Sequence, residues 1–308
     1  MQEAANDIPQ MQIGPVTVCF GEKNGKYPDG NLVVITGSDT KMVCDTPKSV
    51  NRFPEVVRDA DLVVQGHVHE DHVCGLHLLP ETPVFAHEED VRALRSVEGL
   101  RAHYGYPEDV FIRMLDKLDE EFQYTPRPDA QAYEDDAVWE LGGCRVRAVH
   151  MPGHTRGHSV LLVEPHGVAF IGDIDLAGFG PYYGDATSNL LQFQRSLERV
   201  ERLPAKAWIT SHHKGVITDR KQFVELLHAF GDKIKQRSDR IVEALREAGE
   251  AGMSLDELVQ HRFLYPQGFE DLFVDAAERK TITEHLAMLV PEGRVREDAD
   301  GRLYAMAA

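Results

Sequence analysis

"GHVHEDHVCG", residues 66–75, places His67, His69, Glu70, Asp71 and His72 in six consecutive positions. Imidazole and carboxylate are the side chains that hold divalent metals, and at this density they point to such a site. The stretch follows "DLVVQ", a short apolar run that reads as a buried strand, so the cluster begins where a strand ends. In an extended or loop backbone alternate side chains share a face, which lets His67 and His69 reach one point. Asp71 and His72 lie one step further and reach a second.

Working outward, other segments repeat the arrangement of apolar strand followed by ligand-type residue. "MPGHTRGHS" puts His154 at a strand-to-turn junction, where Gly153 lets the backbone bend and His158 follows. "FIGDIDL" ends a strand with Asp173, "AWITSHH" runs into His212 and His213, and "VCDTP" ends one with Asp45. Between these lie further strands at "VTVCF", "NLVVITG", "PVFAH", "VWEL", "CRVRAVHM" and "SVLLVE". Residues 88–120 read as charged helices, 125–136 as a Pro-rich acidic loop, and "SNLLQFQRSLERVERL" as an amphipathic helix.

The series H-x-H-x-D-H, then His, Asp and His, resembles the metallo-β-lactamase-fold hydrolase superfamily over roughly residues 12–220. The resemblance implies an α/β fold, an αββα metallo-β-lactamase sandwich. It implies that His67, His69 and His154 hold one metal, that Asp71, His72 and His212 hold a second, and that Asp173 bridges them. His212 is preferred to His213 because it directly follows the strand. Asp45 is expected either to support the ligands by hydrogen bonding or to cap a turn. His158 and His213 are expected to stand behind the ligands or face substrate. Tyr182 and Tyr183, in "GFGPYYGD", either line the pocket or are ordinary loop aromatics. The implied cofactor is two Zn²⁺, with Mn²⁺ or Fe²⁺ as alternatives for the same N/O donors. The implied chemistry is attack by a metal-bridging hydroxide, with Asp71 as the catalytic residue that orients the water and passes on its proton. Flavodiiron members carry Glu where this chain has His69, and lactonase members carry Tyr where it has Leu176, so neither activity is implied.

Composition bounds the partners. The 308 residues carry 33 Lys+Arg against 51 Asp+Glu, a formal charge of −18, which argues against a large nucleic-acid footprint. Four scattered cysteines form no C-x-x-C pair and read as reduced thiols, mostly buried in strands, of a cytoplasmic protein. The first residues show no basic segment followed by an apolar run, and nothing approaches a membrane span. After residue 220 the texture turns helical, with Ser254 as a helix cap, a helix at "AAERKTITEHLAML" and a hairpin turning at Asp300-Gly301. The chain is therefore divided into a catalytic domain, 1–220, and a small C-terminal helical, winged-helix-like domain, 221–308. The latter carries 12 Lys+Arg against 17 Asp+Glu, so packing, a lid or homodimer formation suits it better than DNA binding.

The leading expectation is a dinuclear hydrolase of a small-molecule ester, thioester, lactone or other activated carbon centre. Its pocket is expected to be walled by residues 88–137 and 176–190. The alternatives are a phosphodiesterase or endoribonuclease with the same two-metal site, and a low-turnover metal-bound regulatory effector.

Overall fold

The computed structural model describes residues 8–306; residues 1–7, part of the stretch read for a leader, and 307–308 lie outside them. Two sheets form from short alternating strands. Strands β1 (Gln10–Ile13), β2 (Val16–Cys19), β3 (Leu32–Thr36) and β4 (Lys41–Cys44) are antiparallel neighbours. Strands β5 (Leu62–Val64), β6 (Val84–His87) and β7 (Gln131–Tyr133) extend that sheet in parallel. The second sheet contains β8 (Val138–Glu140), β9 (Arg145–His150), β10 (Ser159–Glu164), β11 (Val168–Phe170), β12 (Ala207–Ile209) and β13 (Val216–Ile217). Its spatial order is β13-β12-β11-β10-β9-β8, with β11 and β12 parallel and the other pairs antiparallel.

The period of two decides the layers. Val16, Val18, Val33, Ile35 and Met42 point inward from the first sheet and meet Val146, Ala148, Leu161, Val163 and Phe170 from the second. The alternate residues Leu32, Val34, Val43 and Val63 face outward beneath α1 (Val91–Arg95), α2 (Val97–Tyr104) and α3 (Glu108–Glu120). On the other side Val160, Leu162, Ala169 and Trp208 are covered by α4 (Leu190–Glu201) and the first half of α5 (Arg220–Ala248). Trp208 stacks on Phe223 of α5 at 4.1 Å between ring centroids. The result is the expected αββα sandwich.

Helix α5 runs for 29 residues and joins two cores. Phe223, Leu227, Phe230 and Ile234 pack on the second sheet's outer layer, and Ile241, Val242 and Leu245 belong to a separate C-terminal core. The expected division at 220/221 falls within the first turn of this helix, whose first half still packs on the sandwich. The C-terminal core is completed by α6 (Leu255–Val259), α7 (Val274–Leu289) and the hairpin β14 (Val295–Glu297) and β15 (Leu303–Ala305). Ser254 caps α6 through a reciprocal capping box with Glu257. Glu278 of α7, fully buried, accepts the N–H groups of Phe263, Leu264 and Tyr265 at 2.9, 3.0 and 2.7 Å.

Two expectations are corrected. The segment 125–136 is not wholly loop, because Gln131–Tyr133 forms β7 and buries Tyr133 between the sheets. All four cysteines are buried and unpaired, but Cys74 and Cys144 lie outside strands.

Candidate metal centre

The ligand-type residues emerge from strand ends along one edge of the sandwich. His67, His69, Asp71 and His72 follow β5, His154 lies between β9 and β10, Asp173 follows β11 and His212 follows β12. Because β11 and β12 are parallel, Asp173 and His212 leave the sheet at the same end. Gly153 lets the His154 loop turn at φ 135°, and a Cβ there would lie 2.3 Å from the backbone of Phe193.

Asp173 stands between two groups. Its Oδ2 lies 3.3 Å from His154 Nε2 and 3.9 Å from His67 Nε2. Its Oδ1 lies 3.2 Å from His72 Nε2 and 3.6 Å from His212 Nε2. Asp71 Oδ2 is 3.0 Å from His212 Nε2 and 3.6 Å from His72 Nε2. A ring nitrogen of His69 lies within 4.8 Å of the His67, His154 and Asp173 donors, so the structure brings together all seven residues singled out as ligands. His213 joins neither group; its Nε2 lies 3.9 Å from Asp175, and it faces the cavity described below.

Hydrogen-bond partners set the tautomers, and these test the fit to a metal. His72 Nδ1 is 2.8 Å from Asp45, His154 Nδ1 is 3.0 Å from the Tyr182 carbonyl, and His212 Nδ1 is 2.8 Å from the Gly25 carbonyl. Each Nδ1–H is thus donated away from the centre, which leaves the Nε2 lone pairs aimed inward. There His72 Nε2 and His212 Nε2 lie 3.3 Å apart, as do His67 Nε2 and His154 Nε2. Asp71 Oδ2 and Asp173 Oδ1 are buried with no hydrogen-bond donor. The Nε2 atoms of four histidines and carboxylate oxygens of Asp71 and Asp173 converge there, an arrangement that calls for positive charge. Burial alone would pull the His212 imidazole down, yet Asp173 and Asp71 hold it up to about 9. The donor set fits a divalent-metal site, whose ion would supply the positive charge that protons otherwise carry.

The surrounding residues fix this arrangement. Asp45 accepts from His72 through Oδ2 and from the Gly66 N–H through Oδ1 at 2.6 Å, and so fixes the His72 ring. His158 is buried behind the centre and away from the cavity. Its Nδ1 donates to the Met151 carbonyl at 3.1 Å and its Nε2 accepts the Asp173 N–H at 3.3 Å. Burial pushes that imidazole down to about 3, which keeps it neutral. Tyr183 does not line the pocket. It is fully buried, its hydroxyl lies 2.8 Å from His285 Nε2 of α7, and Arg237 of α5 donates to it at 3.0 Å. Arg237 also holds the carbonyls of Phe179 and Pro181, so the C-terminal helices anchor the loop that carries Tyr182.

Sequence reading missed several contributors. Asp185 Oδ2 accepts from His69 Nε2 at 2.9 Å, which turns Nδ1 of that ring toward the centre. Its Oδ1 accepts from Tyr106 at 2.7 Å and Tyr182 at 3.1 Å. Burial pulls His69 down, but the Asp185 carboxylate outweighs it and holds the ring up to about 9. Asp90 accepts from Thr155 at 2.6 Å and the Gly157 N–H at 2.8 Å, pinning the His154 loop. Glu70 accepts from Tyr27 at 3.1 Å and from Tyr104. An Asp-Ala-Thr turn or an isolated Tyr carries no spacing that announces such roles.

Above the centre lies a cavity of about 240 Å³. Tyr27, Tyr104, Tyr106, Phe179 and Tyr182 form part of its wall, and Tyr265, Phe269 and Phe273 from the segment between α6 and α7 complete it. The wall therefore draws on Tyr27 and the C-terminal region as well as on the two expected segments. Among the described residues no Lys or Arg lines it.

The metallo-beta-lactamase superfamily model matches residues 57–212, half of the chain. The chain belongs to the metallo-beta-lactamase superfamily. The match stops at His212 and does not extend to the C-terminal helices. Over 196 residues the chain is 29% identical to an atrochrysone carboxyl ACP thioesterase of Pseudocercospora fijiensis, covering 62% of this chain and 56% of that one. It is 31% identical over 143 residues to a hydroxyacylglutathione hydrolase of Methylococcus capsulatus, 45% of this chain and 54% of that one. The chain thus spans about half the length of these curated relatives. A metallo-beta-lactamase family protein from Thermus thermophilus shares the fold at a TM-score of 0.70 and 23% identity, with 95% of this chain and 99% of that one covered. A beta-lactamase domain protein from Burkholderia ambifaria does so at 0.67 and 16% identity, covering 99% and 96%. Among the described residues no helix is long and apolar enough to cross a membrane.

Proposed function

We propose that this chain is a dinuclear metal-dependent hydrolase of a small-molecule thioester or ester. In this reading His67, His69 and His154 hold one ion, Asp71, His72 and His212 hold the other, and Asp173 lies between them. The carrying observation is the convergence of four imidazole Nε2 atoms with the Asp71 and Asp173 carboxylates in one buried space. Histidine and carboxylate donors suit Zn²⁺ first and Mn²⁺ or Fe²⁺ next. When bound, two such ions supply Lewis-acid polarisation of a carbonyl and acidify a water to near neutrality.

The chain's own residues do the positioning. Asp71, which lines the cavity, orients the attacking water and takes its proton. Asp45 and Asp185 hold His72 and His69 in the tautomers that face the centre. The aromatic wall excludes water from the scissile bond. A thioester is favoured because curated relatives are named as a carboxyl ACP thioesterase, a hydroxyacylglutathione hydrolase and, in Gallus gallus, an acyl-coenzyme A thioesterase. A cavity wall without Lys or Arg among the described residues weighs against a phosphodiester polyanion, whose binding depends on cationic contacts to phosphate.

The test is metal analysis after zinc reconstitution, followed by a panel of acyl thioesters, esters and phosphodiesters. Two metals per chain with thioester or ester turnover are expected. Fewer than one metal per chain sinks the reading. RNA cleavage lost on Asp71→Ala would transfer it to the phosphodiesterase alternative, and metal binding without turnover to the regulatory one.

A further inference from the structure

We infer that the segment between α6 and α7 is the selector of this site, and that the group it admits is an uncharged, apolar acyl chain whose far end rests on Phe179, Tyr265 and Phe269. The inference deepens the hydrolase reading above and rests on it for the scissile bond; the apolar site itself does not depend on turnover.

The wall is rich in tyrosine and carboxylate, yet these groups are largely spent on one another. Tyr27 and Tyr104 donate to Glu70, and Tyr106 and Tyr182 donate to Asp185. Asp271 is paired with Lys117 at 2.8 Å. Asp175 and His213 adjoin Asp173 and His212 in sequence, so these two polar groups lie at the reacting end. A hydroxyl has one proton to give, so those four phenols offer a ligand their rings rather than a free donor. The rings also hold each other in place. His69, Tyr104, Tyr106 and Phe273 form a continuous stack, with centroid separations of 5.7, 5.1 and 6.3 Å and interplanar angles of 6°, 19° and 14°. Their faces cover one another, which leaves ring edges for the cavity and makes this part of the wall preformed. The stack runs from the metal centre to the C-terminal segment, where Tyr265 lies 6.1 Å from Phe273, 5.2 Å from Phe269 and 5.6 Å from Phe179. Glu278 fixes that segment through the N–H groups of residues 263–265.

The opening carries the argument further. Phe269, Tyr27 and Phe179 are 44%, 41% and 38% exposed, and all three line this one cavity although they come from separate loops. Single exposed apolar side chains are ordinary, whereas large rings gathered around one opening form a patch that binds an apolar ligand. An acyl chain reaching out from the reacting carbonyl would cover them. An anionic acyl group would find no Lys or Arg on the described wall. A thiol arm bearing amides, carboxylates or phosphates would bury those groups unpaired against the same rings, so the acyl arm is the one that enters.

The experiment uses the full, metal-loaded chain and thioesters of one neutral thiol, N-acetylcysteamine, carrying acetyl, butanoyl, hexanoyl or glutaryl groups. Calorimetry with the matching ketones, in which CH₂ replaces the sulfur, reads binding without turnover. Each added CH₂ is expected to raise kcat/KM about threefold, so hexanoyl should exceed acetyl by at least about thirtyfold. The ketones should tighten in the same order. Glutaryl, close to hexanoyl in shape but anionic, should fall at least about tenfold below it. The double change Phe179→Ala and Phe269→Ala, checked for retained metal content, should cut the hexanoyl-to-acetyl ratio at least about fivefold. Leucine at both positions should recover most of that loss. Equal turnover of all four thioesters, or glutaryl matching hexanoyl, overturns the inference and leaves the hydrolase reading standing. An unchanged ratio in the alanine pair also overturns it. Ketone binding that tightens with chain length, without turnover of any thioester, keeps the apolar site and sinks the hydrolase reading.

Discussion

Asp185→Asn removes one charge from the network around the centre while keeping its shape. In the native chain the Asp185 carboxylate, 1% exposed, accepts from His69 at 2.9 Å, from Tyr106 at 2.7 Å and from Tyr182 at 3.1 Å. The asparagine carbonyl would turn to His69, and its amide would donate to the two phenol oxygens, whose hydroxyls can rotate to accept it. The hydrogen bonds survive in number, so the change isolates the charge that keeps His69 basic. Loss of such a supporting partner weakens metal affinity about 10- to 100-fold, or about 1.4–2.7 kcal/mol. Competition against a chromophoric chelator reads each zinc equivalent separately, and the loss is expected in the equivalent held by His67, His69 and His154. Circular dichroism should show the native fold. Wild-type affinity for both equivalents in a folded Asp185→Asn protein would refute the assignment of Asp185 as the group that orients His69.

Three further outcomes follow from the geometry. Asp71→Ala is expected to lower kcat about 10²- to 10⁴-fold, the range for losing a positioned proton acceptor, and retention within threefold would remove Asp71 from the proposed chemistry. Glu278→Gln weakens three charge-assisted bonds to the 263–265 backbone; urea unfolding should register a loss of about 1.5–3 kcal/mol. His285 is pushed down to about 3 by burial and by neighbouring Arg237. Its folded-state pKa is depressed, so its contribution is complete above about pH 6.5 and is lost as pH falls toward 3, at up to about 1.4 kcal/mol per unit. Between pH 7 and 5 the wild type should therefore lose about 2 kcal/mol more stability than His285→Gln, and parallel losses would contradict the burial argument.

Much of the centre was legible because the residues proposed as its ligands sit at strand ends, where a short apolar run and a polar residue adjoin in sequence. His67 to His72, His154, Asp173 and His212 all carry that local mark. The sandwich was legible for the same reason, since alternation in β2, β3 and β10 sorts each residue to a face. What escaped was whatever distance in sequence conceals. Asp185 meets His69 across 116 positions, and Tyr27 meets Glu70 across 43, with no pattern linking either pair. Tyr182 and Tyr183 show a finer failure: neighbouring side chains in irregular backbone diverge, and only packing against Arg237 and His285 decides which one turns from the cavity. Strand β7 was hidden because its three residues bury just Tyr133, inside a segment dominated by Pro and Asp.

The 29-residue helix α5 has a mechanical consequence. A rod embedded at one end beneath Trp208 and at the other among Leu258, Ile282 and Leu303 cannot pivot at its middle without breaking its own backbone ladder. Its Arg237, near the midpoint, grips the backbone carbonyls of Phe179 and Pro181 and the hydroxyl of Tyr183. Any force that tilts the distal hairpin is therefore delivered as leverage on the wall above the histidines, so the far end of the molecule and its chemical end move as a single stiff body.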